Sequence, residues 1–468
     1  MITPRDAARE LLARRHSRTR LLPFILYMNP EYIVSQFAID VCKELEAFYV
    51  AVQNGERPVL VFEAPPQHGK SEIVSRNLSA WLFGQNPNLS IGGLSYGSDL
   101  AADMNRDVQR IMLSERYKRV FPDSALNARR VVTLEVEAKR NSETFELVGH
   151  AGKYVAQGVG GPLTGKSLDI GIIDDPVKNS QEALSPTVKS GVWNWYQSTF
   201  KTRLSKNSGH IIMATRWALD DLSGRVIESD PRARRITFKA VDDDGNALVP
   251  ELHPIEKLME TKAGMSSFFW SAMYQQAPVP IGGNIFRADW WQYLDTAPPI
   301  EWRSIYADTA QKTKEMHDYS VFQCWGRSRA GQAVLLDMAR GKWEAPELLE
   351  RARQFWAKHK MTEGQGALRS MKVEDKSSGT GLIQQLKREG VPVLPIKRNV
   401  DKITRAYDAA PSIESGNVIL LRGVPHLSDM MAEAEAFPNA THDDTLDPMM
   451  DAISDIMQPP SAPRVRSL

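Results

Sequence analysis

Apolar positions fall into two kinds of run along the first half of the chain. Short, nearly continuous runs occur at Val61–Glu63, in LDIGIIDDP from Leu168 to Pro176 and in HIIMA from His210 to Ala214, and each ends in polar residues. Between them lie stretches with helical spacing, such as SIGGLSYGSDLAADMNRDVQRIM, a strand followed by a helix starting near Ser98. Strands alternating with helices predict an α/β region with a mainly parallel sheet and a ligand at the strand carboxyl ends. Residues from about Pro4 to Gly55 predict helices, with LEAFYVAVQ the clearest apolar periodicity. These helices are expected to serve as a lid or a wall beside the ligand.

The pattern changes after Ala277–Gly283, where APVPIGG concentrates Pro and Gly. Beyond it, RSIYADTA, YSVFQCWG and QAVLLDMARG predict an antiparallel meander whose first strand carries an acid. The expected organisation is a helical region 1–56, an α/β domain 57–276, a linker 277–300, a second domain 301–457 and a disordered basic tail 458–468.

Composition narrows the class. The 468 residues are 42% hydrophobic and 25% charged, long enough for two or three separate cores. With a formal charge of +1, nucleic-acid affinity must come from local patches such as KTRLSKNSGH and KRNVDKITR rather than a global field. The two cysteines, Cys42 and Cys324, have no metal-ligand spacing, which points to a reducing compartment and excludes a disulfide framework. No run approaches the roughly 20 apolar residues of a membrane span, and MITPRDAARELLARRHSRTR lacks the apolar core of a secretory signal.

The stretch VFEAPPQHGKSEIVSR, Val61 to Arg76, reads as strand, tight loop and helix start around a phosphate-sized anion. In a GxxxxGKS loop the backbone N–H groups and the helix N-terminus cradle phosphates, the Lys reaches the β/γ-phosphates and the hydroxyl holds Mg²⁺. Gln67, His68, Gly69, Lys70 and Ser71 fit, while Ala64 replaces the first glycine and Pro65-Pro66 stiffens the entry. Asp174 is then the metal-side acid, and Asp175 sits where a base polarises the attacking water of ATP hydrolysis. A second glycine-rich loop, GVGGPLTGKS from Gly158, has no apolar strand directly before it and is expected to be a loop facing the nucleotide or a neighbour.

A second carboxylate set lies in the C-terminal half. Asp308 follows SIYA, Glu374 and Asp375 follow MKV, and Asp443, Asp444 and Asp447 lie in THDDTLDPMM before a helix. Hard oxygen ligands from strands and a helix suit two divalent cations, Mg²⁺ or Mn²⁺, about 3.5–4 Å apart, and so phosphodiester hydrolysis. Pro448 at the first helical position would make Asp447 the N-cap, which ranks Asp443 and Asp444 ahead of it as metal ligands.

The order and spacing of PPQHGKS, TGKSLDIGIIDDPVKN, MATRWALDDLSGR, YQQAPVPIGGNIF, YADTA with DYSVFQCWG, VEDKSSGTGLIQQL and HDDTLDP resemble the large terminase subunit of tailed double-stranded DNA bacteriophages. The likeness covers nearly the whole chain. It implies a P-loop ATPase of the additional-strand class followed by a ribonuclease H-like nuclease. It implies that Thr215 and Arg216 form the motif coupling hydrolysis to movement, and that Asp308, Glu374 and Asp443 or Asp444 are the nuclease acids. Arg140 and Arg106 are candidates for a trans-acting arginine. Implied partners are double-stranded DNA, a portal protein, a small terminase subunit and further copies of the chain in a fivefold ring, with no membrane, in the host cytoplasm. A helicase or repair ATPase with an appended nuclease is the alternative enzyme, but the 57–227 region suffices for one ATPase core only; a decayed prophage remnant is the alternative without activity.

Overall fold

Each of the three apolar runs before Ile227 is a strand in the computed structural model, which describes residues 3–126, 138–163, 165–279, 285–310, 319–398, 400–440 and 442–457. The chain divides into two units, Met1–Lys262 with Phe268–Val279, and Ala263–Ser267 with Pro280–Leu468. Part of the APVPIGG stretch, Thr164 of the second glycine-rich loop and the tail 458–468 lie outside the described residues.

In the first unit seven strands, β1 (Val59–Glu63), β2 (Ser90–Ser95), β3 (Thr144–Glu146), β4 (Lys153–Gly158), β5 (Leu168–Asp174), β6 (Leu204–Ala214) and β7 (Ala233–Thr237), form one sheet in the order β3-β4-β2-β5-β6-β1-β7. All neighbours are parallel except β3 with β4. Thus β6 is inserted between β1, which leads into the phosphate loop, and β5, which carries Asp174. This is the additional strand that the resemblance implies.

The sheet is buried on both faces, which explains why its strands read as continuous apolar runs. Leu60, Phe62, Ile172 and Ile211 join one core with Phe37, Val41, Leu45 and Phe48 of the helix Gln36–Gln53. Val59, Val61, Ile173 and Ile212 join another with Trp195, Tyr196, Phe200 and Val226. The N-terminal helices are therefore part of the core of the first unit.

The second unit holds seven strands, β8 (Gln292–Leu294), β9 (Ile300–Asp308), β10 (Ser320–Ser328), β11 (Ala333–Gly341), β12 (Ala367–Glu374), β13 (Val393–Ile396) and β14 (Val418–Leu421), in the order β13-β12-β9-β10-β11-β14-β8. The predicted meander is present: β9, β10 and β11 are antiparallel neighbours, with β12 parallel to β9 on its other side. This places the C-terminal ends of β9 and β12, Asp308 and Glu374, side by side. One face is covered by the helices Ala345–Lys360 and Ser377–Arg388, through Leu348, Phe355, Leu382 and Leu386. The helix Leu446–Met457 packs against β9 and β10. Tyr306, on β9, donates a hydrogen bond to Asp455 of that helix. Ahead of β9, Phe286 and Trp291 are buried and β8 pairs with β14, so this apolar stretch is built into the second unit.

Candidate active sites

The phosphate loop begins where β1 ends. Gln67 and Gly69 both have positive φ, 62° and 85°, and alternation of left- and right-handed residues turns successive backbone N–H groups toward one point. At Gly69 a side chain would be conformationally strained, so the glycine is needed there. The helix starts at Lys70, widens into π-type turns over Glu72–Leu78 and continues as α-helix Ser79–Gln85. His68 donates from Nδ1 to the Pro66 carbonyl at 2.8 Å, and its ring lies 4.4 Å from that of His253. Burial pushes the His68 imidazole down to about 4, so the ring is neutral at pH 7.

Sites from β5 and β6 converge on this loop. The Lys70 ammonium, only 6% exposed, lies 3.2 Å from Asp175 Oδ2 and donates to Thr215 Oγ1. Thr215 is fixed in turn: its N–H donates to Asp175 Oδ1 at 3.0 Å and its hydroxyl to the Ala64 carbonyl. Asp175 has φ 44°, a left-handed conformation that Asp adopts more readily than most residues. Asp174 is buried and accepts from Ser75 at 2.6 Å and from Ser71 at 3.3 Å. Its burial and the adjacent Asp175 raise its carboxyl to about 7. Ser75 was not apparent in the sequence; its spacing of four from Ser71 was the available signal, because that spacing puts both hydroxyls on one helix face.

Arg216 points away from this cluster. Its guanidinium bonds Glu63 at 2.7 Å and Asp221 at 2.8 Å, and the carbonyls of Ala218 and Leu219. Glu63, fully buried at the end of β1, also holds Arg235 and Thr237 of β7. The motif following β6 is thereby tied to the strand that feeds the phosphate loop. Of the two candidate trans-acting arginines, Arg106 pairs with Asp103 on its own helix and Arg140 bonds Gln109 at 3.0 Å. The second glycine-rich loop opens no helix and runs into β5.

In the second unit Asp308, Glu374 and Asp447 converge on one side chain. Arg398 Nη1 lies 3.3 Å from Asp308 Oδ1, 2.8 Å from Glu374 Oε2 and 3.8 Å from Asp447 Oδ2. Its Nη2 reaches Asp451 at 2.8 Å. Burial drives the Asp308 carboxyl up to about 7, against the pull of Arg398, and Asp447 and Glu374 push it in the same direction as burial. Asp447 is instead held below the ordinary carboxylate range, by Arg398, Lys402 and Arg405, despite its burial.

Two expectations are corrected here. The helix begins at Leu446, so Asp447 lies inside its first turn and is not the cap; its carboxylate is taken by Arg398, Lys402 and Arg405. Pro448 is tolerated as the third helical residue because the first four N–H groups of a helix lack intrahelical partners. Asp443 stands farther out, 40% exposed, on Lys402 at 2.8 Å, and Asp444 accepts from the Tyr319 N–H. The second correction concerns three cations of KRNVDKITR, whose Lys397 stays exposed as expected of a contact patch. Arg398, Lys402 and Arg405 turn inward as counter-ions of the acids. In KTRLSKNSGH, Lys201 and Lys206 are exposed, near the end of β6 opposite Thr215.

The chemistry of both donor sets suits magnesium. In the first, the Ser71 hydroxyl and Asp174 carboxylate offer hard oxygens beside the phosphate cradle. In the second, oxygens of three acids surround one buried cation, Arg398. No three acidic, imidazole or thiol groups among the described residues form a ready cage; Arg398 stands among the three acids, so binding a divalent ion requires its guanidinium to yield.

Two family models match the chain: "Terminase large subunit, T4likevirus-type, N-terminal" over residues 61–292, and "Terminase RNaseH-like domain" over residues 305–455. No curated protein matches. Among solved structures, the large terminase of the thermophilic bacteriophage D6E in complex with ATP-γ-S is 14% identical, covering 89% of this chain and 98% of that one, with a TM-score of 0.50. The same phage protein with ADP is 12% identical over 91% of this chain and 100% of that one, at 0.49. The HK97 bacteriophage large terminase is 13% identical over 91% and 95%, at 0.35. At such identities the likeness bears on the fold alone.

Proposed function

The chain belongs to the terminase large subunits, and we propose that it is the ATP-driven motor and nuclease of DNA packaging, with Lys70, Ser71, Asp174 and Asp175 working the first unit and Asp308, Glu374 and Asp447 the second. The observation that carries the reading is that each unit gathers its own acids at adjacent strand ends, Asp174 and Asp175 beside Lys70 and Asp308 beside Glu374.

In the first unit Lys70 exchanges Asp175 for the β/γ-phosphates, and Ser71 with Asp174 would hold magnesium, which supplies charge neutralisation on the phosphates. Asp175, released from Lys70, orients and polarises the attacking water while Thr215 N–H keeps its other oxygen in place. Arg216 links that event to β1 and β7 through Glu63. In the second unit Asp308, Glu374 and Asp447 would hold divalent ions, which supply Lewis-acid activation of water at a phosphodiester. Arg398 neutralises the same carboxylates.

DNA contacts are phosphate-directed, since a motor must disregard sequence, and affinity is correspondingly salt-dependent. Lys201 and Lys206 of the first patch and Lys397 of the second remain exposed for this. A portal protein, a small subunit that selects the cut site and a fivefold ring of copies in the host cytoplasm complete the assembly. No described helix is long and apolar enough to cross a membrane. A helicase reading lacks support because the described residues of the first unit form a single ATPase sheet and those of the second a sheet of different topology.

The deciding experiment is plasmid cleavage with Mn²⁺ and ATP hydrolysis measured on the same full-length preparation. Asp308→Ala is expected to lose cleavage and keep hydrolysis. Cleavage that survives the substitution would reject the nuclease assignment.

A further inference from the structure

The YQQAP motif holds, at Gln276, a residue with an unusual backbone and a side chain bonded through both its oxygen and its nitrogen. Gln276 is 1% exposed and has φ 53°, a region that residues other than glycine rarely adopt. Were this position only a turn, glycine would meet it without strain. Its side chain does two things at once: Oε1 accepts the Arg216 N–H at 3.0 Å, and Nε2 donates to the Met273 carbonyl. Around it, the Tyr274 carbonyl accepts from Ala240 N–H, and Ala277 exchanges two hydrogen bonds with Ser271, through its N–H at 2.8 Å and its carbonyl at 2.6 Å.

The partner of Gln276 sits at a revealing place. Three successive backbone groups at the end of β6 are each bonded by a different part of the first unit. The Ala214 carbonyl accepts from Ala64 N–H of the phosphate loop, the Thr215 N–H donates to Asp175, and the Arg216 N–H donates to Gln276. The Arg216 side chain is anchored at Glu63 and Asp221, so a shift of this backbone cannot be absorbed by a loose residue. When Lys70 and Asp175 change partners, Thr215 must adjust, and the next N–H along is the one that Gln276 holds. Three residues later, at Val279, the first unit ends.

We propose that Gln276 is a positioning residue that transmits the state of the ATP site to the segment leaving the first unit. The inference rests on the ATPase reading of that unit and adds its output. A primary amide is suited to the task because it offers an acceptor and a donor on neighbouring atoms. Glu keeps the acceptor and loses the donor; Met keeps the length and loses both.

The test is hydrogen–deuterium exchange of peptides spanning Trp270–Val279 in the full chain, with and without ATP-γ-S and Mg²⁺, alongside ATP-γ-S affinity. The parent protein is expected to show a several-fold nucleotide-dependent change in exchange. In Gln276→Met that difference disappears while affinity is retained, and in Gln276→Glu it is reduced but present. A purely structural role would raise exchange equally in both states and leave the difference intact, which overturns the inference. So does a parent that binds ATP-γ-S with no change in these peptides. If Gln276→Met fails to fold, Gln276→Glu carries the same comparison, and a difference equal to the parent's rejects the proposal. A parent that does not bind ATP-γ-S would instead remove the ATPase reading itself.

Discussion

Arg398 is the counter-ion of Glu374: its Nη1 stands 2.8 Å from Glu374 Oε2, with Asp308 and Asp447 also within reach and a side chain only 5% exposed. One buried guanidinium thus balances several carboxylates. Removing one partner of a buried ion pair costs about 3–5 kcal/mol because the other charges are left uncompensated. Arg398→Ala is therefore expected to lose stability of that order in urea unfolding with chelator present. If divalent ions are held by the same carboxylates, as proposed, Mn²⁺ should stabilise Arg398→Ala more than it stabilises the parent. Equal stability of the two proteins without metal would reject the counter-ion role.

Lys70→Ala should abolish ATP hydrolysis and leave Mn²⁺-dependent cleavage intact. The motivating geometry is that the described partners of Lys70, Asp175 and Thr215, belong to the first unit. Loss of both activities in a protein whose circular dichroism matches the parent would contradict two independent sites.

Asp175 and Asp174 are adjacent but differently placed, and the difference sets distinct outcomes. Asp174 is buried between Ser71 and Ser75, whereas Asp175 faces Lys70 and is one-third exposed. Asp175→Asn retains an acceptor for Thr215 N–H, so nucleotide affinity should persist while turnover falls by about 10²–10⁴, the range for a lost general base. Asp174→Asn should weaken binding of the magnesium nucleotide as well. Parent-like turnover in Asp175→Asn would dismiss the base assignment.

The carboxyl of Asp308 gives the metal-free protein a pH signature. Its value rises from the ordinary 3.8 to about 7 on folding, mainly through burial. Between those two values the folded state holds a proton that the unfolded state has released, so this group's contribution to stability is fully present below pH 3.8 and declines as pH rises toward 7. Asp308→Asn removes the titration. In chelator, its gain in melting temperature over the parent should therefore be larger at pH 7.5 than at pH 5; a gain independent of pH would rule out a raised Asp308.

What the sequence made legible was chemistry attached to local pattern. Asp174, Asp308 and Glu374 each close an apolar run, and Gly69, Lys70 and Ser71 form one contiguous loop, so strand ends and motif spacing were enough. What it hid depends on distant partners. Glu63 meets Arg216 across 153 residues and Arg398 meets Asp308 across 90. A basic stretch such as KRNVDKITR reads alike whether its cations face solvent or acids, and only the fold decides. The additional strand and the meander could be anticipated, whereas the incorporation of Phe286 and Trp291 into the second unit depends on β8 pairing with β14.

The ranking of acids near the last helix is where local reasoning and the fold part, and it gives the sharpest test. Reading Pro448 as the first helical residue assigns Asp447 to capping and favours Asp443 and Asp444 as ligands. With the helix starting at Leu446, Asp447 projects from its first turn to within 3.8 Å of the guanidinium that also holds Asp308 and Glu374. Asp443 is held on Lys402 with 40% of its side chain exposed. Loss of a ligand removes charge that bound ions share, so Asp447→Ala should eliminate Mn²⁺-dependent cleavage with ATP hydrolysis retained, while Asp443→Ala should only reduce it. Calorimetric titration of Mn²⁺ separates lost binding from lost folding, since Asp447→Ala should melt cooperatively yet take up less metal. Full cleavage by a folded Asp447→Ala, or complete loss in Asp443→Ala with metal uptake unchanged in Asp447→Ala, would return the ligand role to the turn before the helix.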